Sequence, residues 1–164
     1  GFEKYPTNKD MLGTLINYYL LESDNAEEAL RYLEVARQQE PENAAYYSAE
    51  ASIHDKLGNK EKAIELYKKA IELNPDLFEA QYNLGVIFYN DAVEASNEAN
   101  EIKDNEAYQK ARDEANKMFK DALPYIEKAH ELQPEERSII STLKTLYYRL
   151  KMEDKYQEME EKLK

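Results

Sequence analysis

Residues 58–75 read GNKEKAIELYKKAIELNP, and this stretch decides the fold. Its apolar residues recur at helical spacing and predict a helix over residues 60–73, with Asn59 before it as an N-cap. The final proline stands where a helix cannot continue. Ala63 and Ala70 share one face of this helix, and such small residues let a second helix backbone approach closely. The stretch is therefore typical of one half of a packed helical pair.

The proline that ends this stretch has counterparts along the chain. Pro41, Pro75 and Pro134 each follow a helical pattern, and 34 residues separate the first two. This is the period of one kind of helix-turn-helix repeat. The next interval is 59 residues, or 34 plus 25, which predicts an insertion of 25 residues inside one repeat. The chain is therefore interpreted as a repeat array.

Counted back from each proline, the residues resemble the tetratricopeptide repeat, whose signature is W-x2-L-G-x2-Y, then A-x3-F, then P. The second copy, residues 44–77, carries Tyr47, Ala51, His54, Gly58, Ala63, Tyr67, Ala70 and Pro75 at the signature positions. The third copy also fits well, the first less well, and the fourth least, because Lys144 and Tyr156 replace small residues. The pattern is similar to bacterial members of the family. Pro6 lies 35 residues before Pro41, which predicts that an earlier repeat precedes this piece.

The resemblance implies an all-α fold, a right-handed α-solenoid of helix-turn-helix repeats with one elongated helical hairpin. Because one pair cannot bury its apolar stripe alone, stacking of neighbours builds the core. We expect one domain over residues 1–164, with repeats at about 10–43, 44–77 and 78–136 and a degenerate capping repeat at 137–164. Helices are expected at residues 9–22, 26–39, 43–57, 60–73, 77–102, 105–132, 136–150 and 153–163.

The insertion is assigned to residues 91–115, which contain neither proline nor glycine. Alanines recur at helical spacing on both sides of a turn predicted at residues 103–105. The simplest structure extends both helices of the third repeat into an antiparallel pair that reaches about 18 Å beyond a normal repeat. Eight acidic and three basic residues give the segment a net charge of −5. It is interpreted either as an arm that docks a basic partner or as an expansion without function.

Composition limits the classes of partner. With 34 acidic and 22 basic residues the net charge is −12, which disfavours a nucleic acid or an anionic membrane surface and favours a neutral or basic protein. Alternatively, Glu and Lys simply solvate the outer helix faces. No run of 18 apolar residues is present, so we expect a soluble protein, either cytoplasmic or exported to a bacterial periplasm. The absence of cysteine leaves the compartment undetermined.

The residues that catalysis requires are scarce. His54 and His130 are the only histidines, and both cysteine and a glycine-rich phosphate loop are absent. The sequence therefore lacks the residues needed for a nucleophilic triad, a zinc site or a phosphate-binding loop. His54 falls at a core position of the repeat and is interpreted as a packing imidazole. We expect no enzyme activity and no cofactor.

The resemblance implies binding instead, because the first helices of such repeats line a concave groove for peptides or partner proteins. The groove positions carry hydroxyl, amide and aromatic side chains: Tyr18, Ser48, Ser52, Tyr82, Asn83, Tyr89, Ser141, Thr145 and Tyr148. Such a lining suits an extended peptide, since hydroxyls and amides bond its backbone and tyrosine offers flat contact area. Tyrosine is abundant, 14 of 164 residues, so each one is alternatively a packing residue.

One ligand of the family is not expected. Chaperone-binding members clamp a C-terminal carboxylate with Lys, Asn and Arg, whereas the matching positions here are Thr14, Tyr18, Ala49, Glu79 and Asn83. Glu79 would repel that carboxylate. The first hypothesis is therefore an adaptor that holds an extended partner segment in the groove. The alternative is an assembly module that acts through the inserted arm or the repeat ends, self-association included.

Overall fold

The fold consists of helices joined by short turns. A computed structural model describes residues 25–164, and in this range the chain forms seven α-helices and no strand. They are α1 (Ala26–Gln39), α2 (Ala44–Lys56), α3 (Lys60–Leu73), α4 (Phe78–Asn100), α5 (Asn105–Leu132), α6 (Arg137–Arg149) and α7 (Glu153–Lys162). The all-α class is confirmed, and each observed helix begins and ends within about two residues of its predicted limits. The helix predicted over residues 9–22 lies outside the described residues.

The chain divides into two compact units, Gly1–Ala80 and Gln81–Lys164. Helices α1, α2 and α3 belong to the first unit, whereas α5, α6, α7 and nearly all of α4 belong to the second. The expected single domain and its repeat limits stay predictions.

Small residues form much of the core of the first unit, as their spacing predicts. Ala29, Leu33 and Ala36 of α1 are buried and cluster with Ile53 of α2. The facing sides of α2 and α3 bury Ala51, Ala63, Tyr67 and Ala70. The alanines permit close backbone approach, and the larger side chains fill the remaining space.

Not every residue at a helix N-cap position makes a side-chain cap bond. Asn25 caps α1, because its side chain accepts a hydrogen bond from the Glu28 N–H at 3.2 Å. Asn59 stands at the cap position of α3, but its side chain makes no cap bond. Its amide donates to Nδ1 of His54 at 3.3 Å. His54 is half-buried, and its ring binds the turn rather than filling the core as expected.

The turns after α2 and α6 share one geometry. Each closes with the two backbone hydrogen bonds of a Schellman motif. The residue in the left-handed conformation is Gly58 (φ 77°) in the first turn and Lys151 (φ 59°) in the second. Both are the fifteenth residue of their repeats, counted from residues 44 and 137. Glycine adopts this conformation without strain, whereas the Cβ of a lysine does not.

Helices α4 and α5 form the elongated hairpin predicted from the insertion. They contain 23 and 28 residues, against 13 or 14 in each of α1, α2 and α3. Asp104 begins α5 by accepting a hydrogen bond from the Ala107 N–H at 2.8 Å. Ala92, Ala99 and Ala115 are all buried, so alanine lines the hairpin as its spacing predicts.

Gly85 marks a close approach of α4 to α5. A Cβ at this position would lie 2.5 Å from Cδ1 and 2.9 Å from Cγ1 of Ile126, which is fully buried. These distances are too short for van der Waals contact. Packing therefore requires glycine here.

Helix α5 contains an internal proline, Pro124, at an exposed position. Proline has no N–H, so the carbonyl of Lys120 lacks the helical donor four residues further on. Lys120 is also exposed, which leaves this carbonyl accessible to water. The helix continues to Leu132.

One carboxylate joins the last three helices. The Tyr147 hydroxyl of α6 donates to Oε1 of Glu127 on α5 at 2.8 Å. Lys155 of α7 donates to the same oxygen at 2.7 Å. The inner face of α6 buries Ile139, Ile140, Leu143, Leu146 and Tyr147.

Candidate functional site

Three of the predicted groove residues lie together in a cleft between α6 and α7. Ser141, Thr145 and Tyr148 follow one another at intervals of four and three residues and so share one face of α6. They line a cleft of about 390 Å³ together with Lys144, Tyr156 and Leu163. The cleft combines hydroxyl groups with aromatic and apolar surface.

Two large residues occupy the seam beside this cleft. Lys144 and Tyr156 stand where the repeat pattern has small residues, so α6 and α7 lack the alanine seam of α2 and α3. Nζ of Lys144 donates to Oε1 of Glu160 at 3.0 Å, and the Tyr156 hydroxyl donates to the same oxygen at 3.2 Å. The ammonium also lies 5.4 Å from the centre of the Tyr156 ring.

The electrostatics of this pair are balanced. The hydrogen bond to Glu160 raises the pKa of Lys144, and the hydrogen bond from Lys144 lowers the pKa of Glu160. Both groups therefore stay charged at neutral pH and neutralise each other within the cleft wall.

Tyr148 is the most exposed part of the cleft. Its side chain is 70 % exposed, which is high for a large aromatic residue. Its ring centre lies 5.7 Å from that of Tyr156, with an angle of 50° between the rings. Within residues 25–164 the hydroxyls of Tyr148 and Ser141 have no hydrogen-bond partner, whereas Thr145 Oγ1 donates to the Ser141 carbonyl at 3.1 Å.

The other predicted groove residues do not line this cleft. On α2, Ser48 is buried and Ser52 is half-buried. On α4, Tyr82 and Asn83 are half-buried, and the Tyr89 ring packs edge to face on Phe119 at 5.8 Å. Tyr18 lies outside the described residues. The structure thus brings together the three residues of α6.

A second, larger cleft lies in the first unit between α1 and α2 and was not predicted from the sequence. It has a volume of about 800 Å³. Arg37 forms an ion pair with Glu50 and lies 4.3 Å from the centre of the Tyr47 ring. The Tyr47 hydroxyl donates to the Pro41 carbonyl at 2.8 Å. Glu50 stands where the repeat pattern has Leu, and this departure was the signal that the sequence offered.

The tip of the elongated hairpin is acidic and solvent-exposed. Residues 100–107 are all exposed, and among them Ile102 is a large apolar residue, 36 % exposed. Closer to the base, Nη1 of Arg149 on α6 donates to Ser96 Oγ at 3.3 Å. The same guanidinium lies 4.7 Å from the centre of the Phe119 ring. Arg149 therefore connects both long helices to α6.

The two histidines make structural contacts. His54 bonds Asn59, and Nε2 of His130 accepts a hydrogen bond from Lys162 at 3.1 Å. Among the described residues no cluster of His, Cys, Asp and Glu has an arrangement that could hold a metal ion. None of the helices in residues 25–164 has the length and hydropathy of a membrane span.

The helical pairs with their alanine seams and repeated turn define a class of protein, the helix-turn-helix repeat proteins. Residues 51–91 match the family model described as "TPR repeat". The resemblance noted in the sequence is thus confirmed over these residues. No curated protein sequence matches the chain.

Solved structures of tetratricopeptide proteins share this fold. MamA superimposes with a TM-score of 0.64 at 18 % identity, over 99 % of this chain and 80 % of its own. The TPR2B domain of yeast Sti1, in a structure titled as a complex with pHsp70, has a TM-score of 0.56 at 20 % identity over 88 % of this chain and 96 % of that domain.

A human protein extends the comparison. The human IFIT1 dimer with m7Gppp-AAAA has a TM-score of 0.68 at 22 % identity over 99 % of this chain. The chain spans only 34 % of the length of IFIT1. At such identities these likenesses establish the fold.

Proposed function

We propose that this chain is a non-catalytic protein-interaction module that holds an extended partner segment against α6, with Ser141, Thr145 and Tyr148 as the contacts. The observation that carries this proposal is the cleft between α6 and α7, which gathers these three residues around an exposed tyrosine. A solvated aromatic ring beside hydroxyls without partners supports recognition of a peptide.

The proposal extends to the other predicted groove residues. Tyr82 and Asn83 are half-buried on α4 and partly accessible to a ligand. Ser48, Ser52, Tyr89 and Tyr18 stay predicted partner contacts from the sequence. Because Ser48 is buried and Tyr89 packs on Phe119, we expect their substitution to act through stability more than through contact.

The partner is proposed to be a neutral or basic protein. The net charge of −12 disfavours binding of a nucleic acid. We therefore do not propose that this chain binds m7Gppp-AAAA, which is bound in the IFIT1 structure. A chaperone C-terminal carboxylate is likewise not proposed, because the clamp position Glu79 is acidic and exposed. We therefore do not propose that this chain binds pHsp70, the partner in the Sti1 structure.

A second candidate function is assembly through the hairpin tip. Eight acidic residues against three basic ones and the exposed Ile102 favour a basic partner that docks on residues 91–115. In this case the groove residues would be dispensable.

An affinity pull-down from the source cell separates the two functions. The bait is the full chain beside three variants: Tyr148→Ala, the double variant Tyr82→Ala/Asn83→Ala, and a deletion of residues 91–115 that restores the 34-residue spacing of the repeats. Mass spectrometry identifies the captured proteins. A partner lost with Tyr148→Ala and retained by the deletion supports groove binding. A partner lost only with the deletion contradicts it and supports the hairpin.

A further inference from the structure

The residues that line the α6–α7 cleft offer no unpaired charge to a ligand. Its one ion, Lys144, is bonded to Glu160 at 3.0 Å and lies over the Tyr156 ring. The other lining residues are hydroxyl-bearing or apolar: Ser141, Thr145, Tyr148, Tyr156 and Leu163. A charged side chain entering the cleft would lose hydration without gaining a partner. The complementary group is therefore uncharged.

The aromatic rings favour a flat, rigid apolar group. Lys144 covers the Tyr156 ring, whereas Tyr148 is 70 % exposed and presents open ring surface. Aromatic-lined grooves of this kind bind the rings of proline in extended, preformed segments, which lose little entropy on binding. The ring centres of Tyr148 and Tyr156 lie 5.7 Å apart, so the two rings form adjacent parts of one aromatic surface.

The two backbone positions that carry these hydroxyl groups are separated by about one turn of such a segment. Ser141 and Tyr148 are seven residues apart on α6, which corresponds to about 10.5 Å along the helix at 1.5 Å per residue. One turn of a polyproline II helix spans three residues, about 9.3 Å, and its carbonyls make no internal hydrogen bonds. Both hydroxyls have no partner within residues 25–164. They can thus donate to carbonyls one turn apart on the ligand.

We propose that the occupant of this cleft is an uncharged, proline-rich partner segment in the polyproline II conformation, stacked on Tyr148 and bonded by the hydroxyls of Ser141 and Tyr148. This inference rests on the proposed function and specifies the chemical class of its partner.

Titration of the full chain with defined peptides tests this inference. The probe is a nine-residue peptide of three Pro-Pro-Ser triplets with blocked ends. A neutral control consists of three Gly-Ala-Ser triplets, and a basic control of three Lys-Ala-Ser triplets. Isothermal titration calorimetry gives the affinity, and amide chemical shifts in NMR spectra locate the site. We expect saturable binding of the proline peptide alone, with shifts confined to α6 and α7.

Substitutions assign the contacts. Tyr148→Ala should weaken binding by about tenfold or more through loss of stacking, and Tyr148→Phe by about three- to tenfold through loss of one hydrogen bond. Leu57→Ala, at an exposed apolar residue outside the cleft and outside the hairpin, should bind like wild type. Because Tyr148 is exposed, its variants should keep the wild-type melting temperature, which a thermal melt verifies.

Several outcomes would overturn the inference. These are preferential binding of the basic peptide, equal binding of the Gly-Ala-Ser peptide, or equal affinity of Tyr148→Ala and wild type. Sedimentation that shows a dimer dissolved by Tyr148→Ala would instead assign the cleft to a second copy of this chain. If the proline peptide does not bind although Tyr148→Ala loses its cellular partner in the pull-down, the proposed function stands and only the ligand class is wrong.

Discussion

At the scale of single residues, Lys151 carries backbone strain that its counterpart Gly58 avoids. Replacing Lys151 with glycine should raise the free energy of unfolding by about 0.5–1 kcal/mol. The left-handed conformation costs a side-chain-bearing residue roughly 1–2 kcal/mol, and the greater freedom of glycine in the unfolded chain offsets part of that gain. Urea unfolding followed by circular dichroism measures the change.

Gly58→Ala is the matched control for this prediction, because it places a Cβ in the same turn geometry. It should lower the free energy of unfolding by about 1 kcal/mol. A Lys151→Gly variant no more stable than wild type would show that the lysine is not strained.

His130 should make stability depend on pH. Burial lowers the pKa of His130, and the nearby Lys162 ammonium lowers it further, against smaller opposite effects of Glu158 and Glu135. The unfolded chain therefore binds this proton more readily than the folded chain. The contribution is complete above pH 6.5 and declines as the pH falls below that value. Thermal melts between pH 7.5 and 5.5 should show a slope that His130→Gln reduces, and an identical slope in that variant would exclude His130 as its source.

Residues with local roles were predictable, and residues with distant partners were not. Asn25 caps the helix that follows it, and a cap of this kind depends only on residues close by in the sequence. Arg37 and Glu50 lie 13 residues apart on different helices, and their ion pair depends on how α1 and α2 pack. Helical spacing alone puts Tyr148 on one face of α6 with Ser141 and Thr145, but its contact with Tyr156 depends on how α6 and α7 pack.

At the scale of elements, the contact between α4 and α5 should tolerate no side chain at Gly85. Gly85→Ala should destabilise the protein by about 1–2 kcal/mol, because the overlap with Ile126 costs about 1–3 kcal/mol and the higher helix propensity of alanine returns at most about 1 kcal/mol. Urea unfolding gives the difference directly.

A second substitution separates overlap from other causes. Ile126→Val removes Cδ1, the atom 2.5 Å from the added Cβ. The double variant should therefore lose less stability than the two single variants together, with a coupling energy on the order of 1 kcal/mol. Strict additivity would mean that the overlap is relieved elsewhere.

Helix limits were predictable because caps, prolines and alanine spacing act within each element. The elongated hairpin could be predicted from the interval between Pro75 and Pro134. The extra residues contain no Pro or Gly to interrupt a helix, so they extend the existing helices. The cleft between α6 and α7 could be foreseen only in part. Lys144 and Tyr156 were visible as large residues at small positions, but their common bond to Glu160 requires tertiary contact.

At the scale of the whole molecule, the last helical pair should stabilise the second unit. Truncation after Leu132 removes the Tyr147 hydrogen bond to Glu127 and the contact of Arg149 with Phe119. It also exposes apolar surface that α6 covers. The melting temperature should fall by more than about 5 °C, given roughly 2–4 °C per kcal/mol for a chain of this size. A truncated chain with an unchanged melting curve would show that α6 and α7 do not act as a cap.

We expect Pro124 to divide α5 into two segments with different hydrogen-exchange rates. Backbone amides exchange with solvent when their hydrogen bonds open, and a missing bond in mid-helix is a place where opening can stop. The rate of deuterium uptake should therefore differ between two segments of the 28-residue helix α5. The longer segment, which precedes Pro124 and reaches the hairpin tip, should exchange earlier, and the shorter segment that holds Ile126 should exchange later. One continuous helix would then combine a slowly exchanging base with a rapidly exchanging tip.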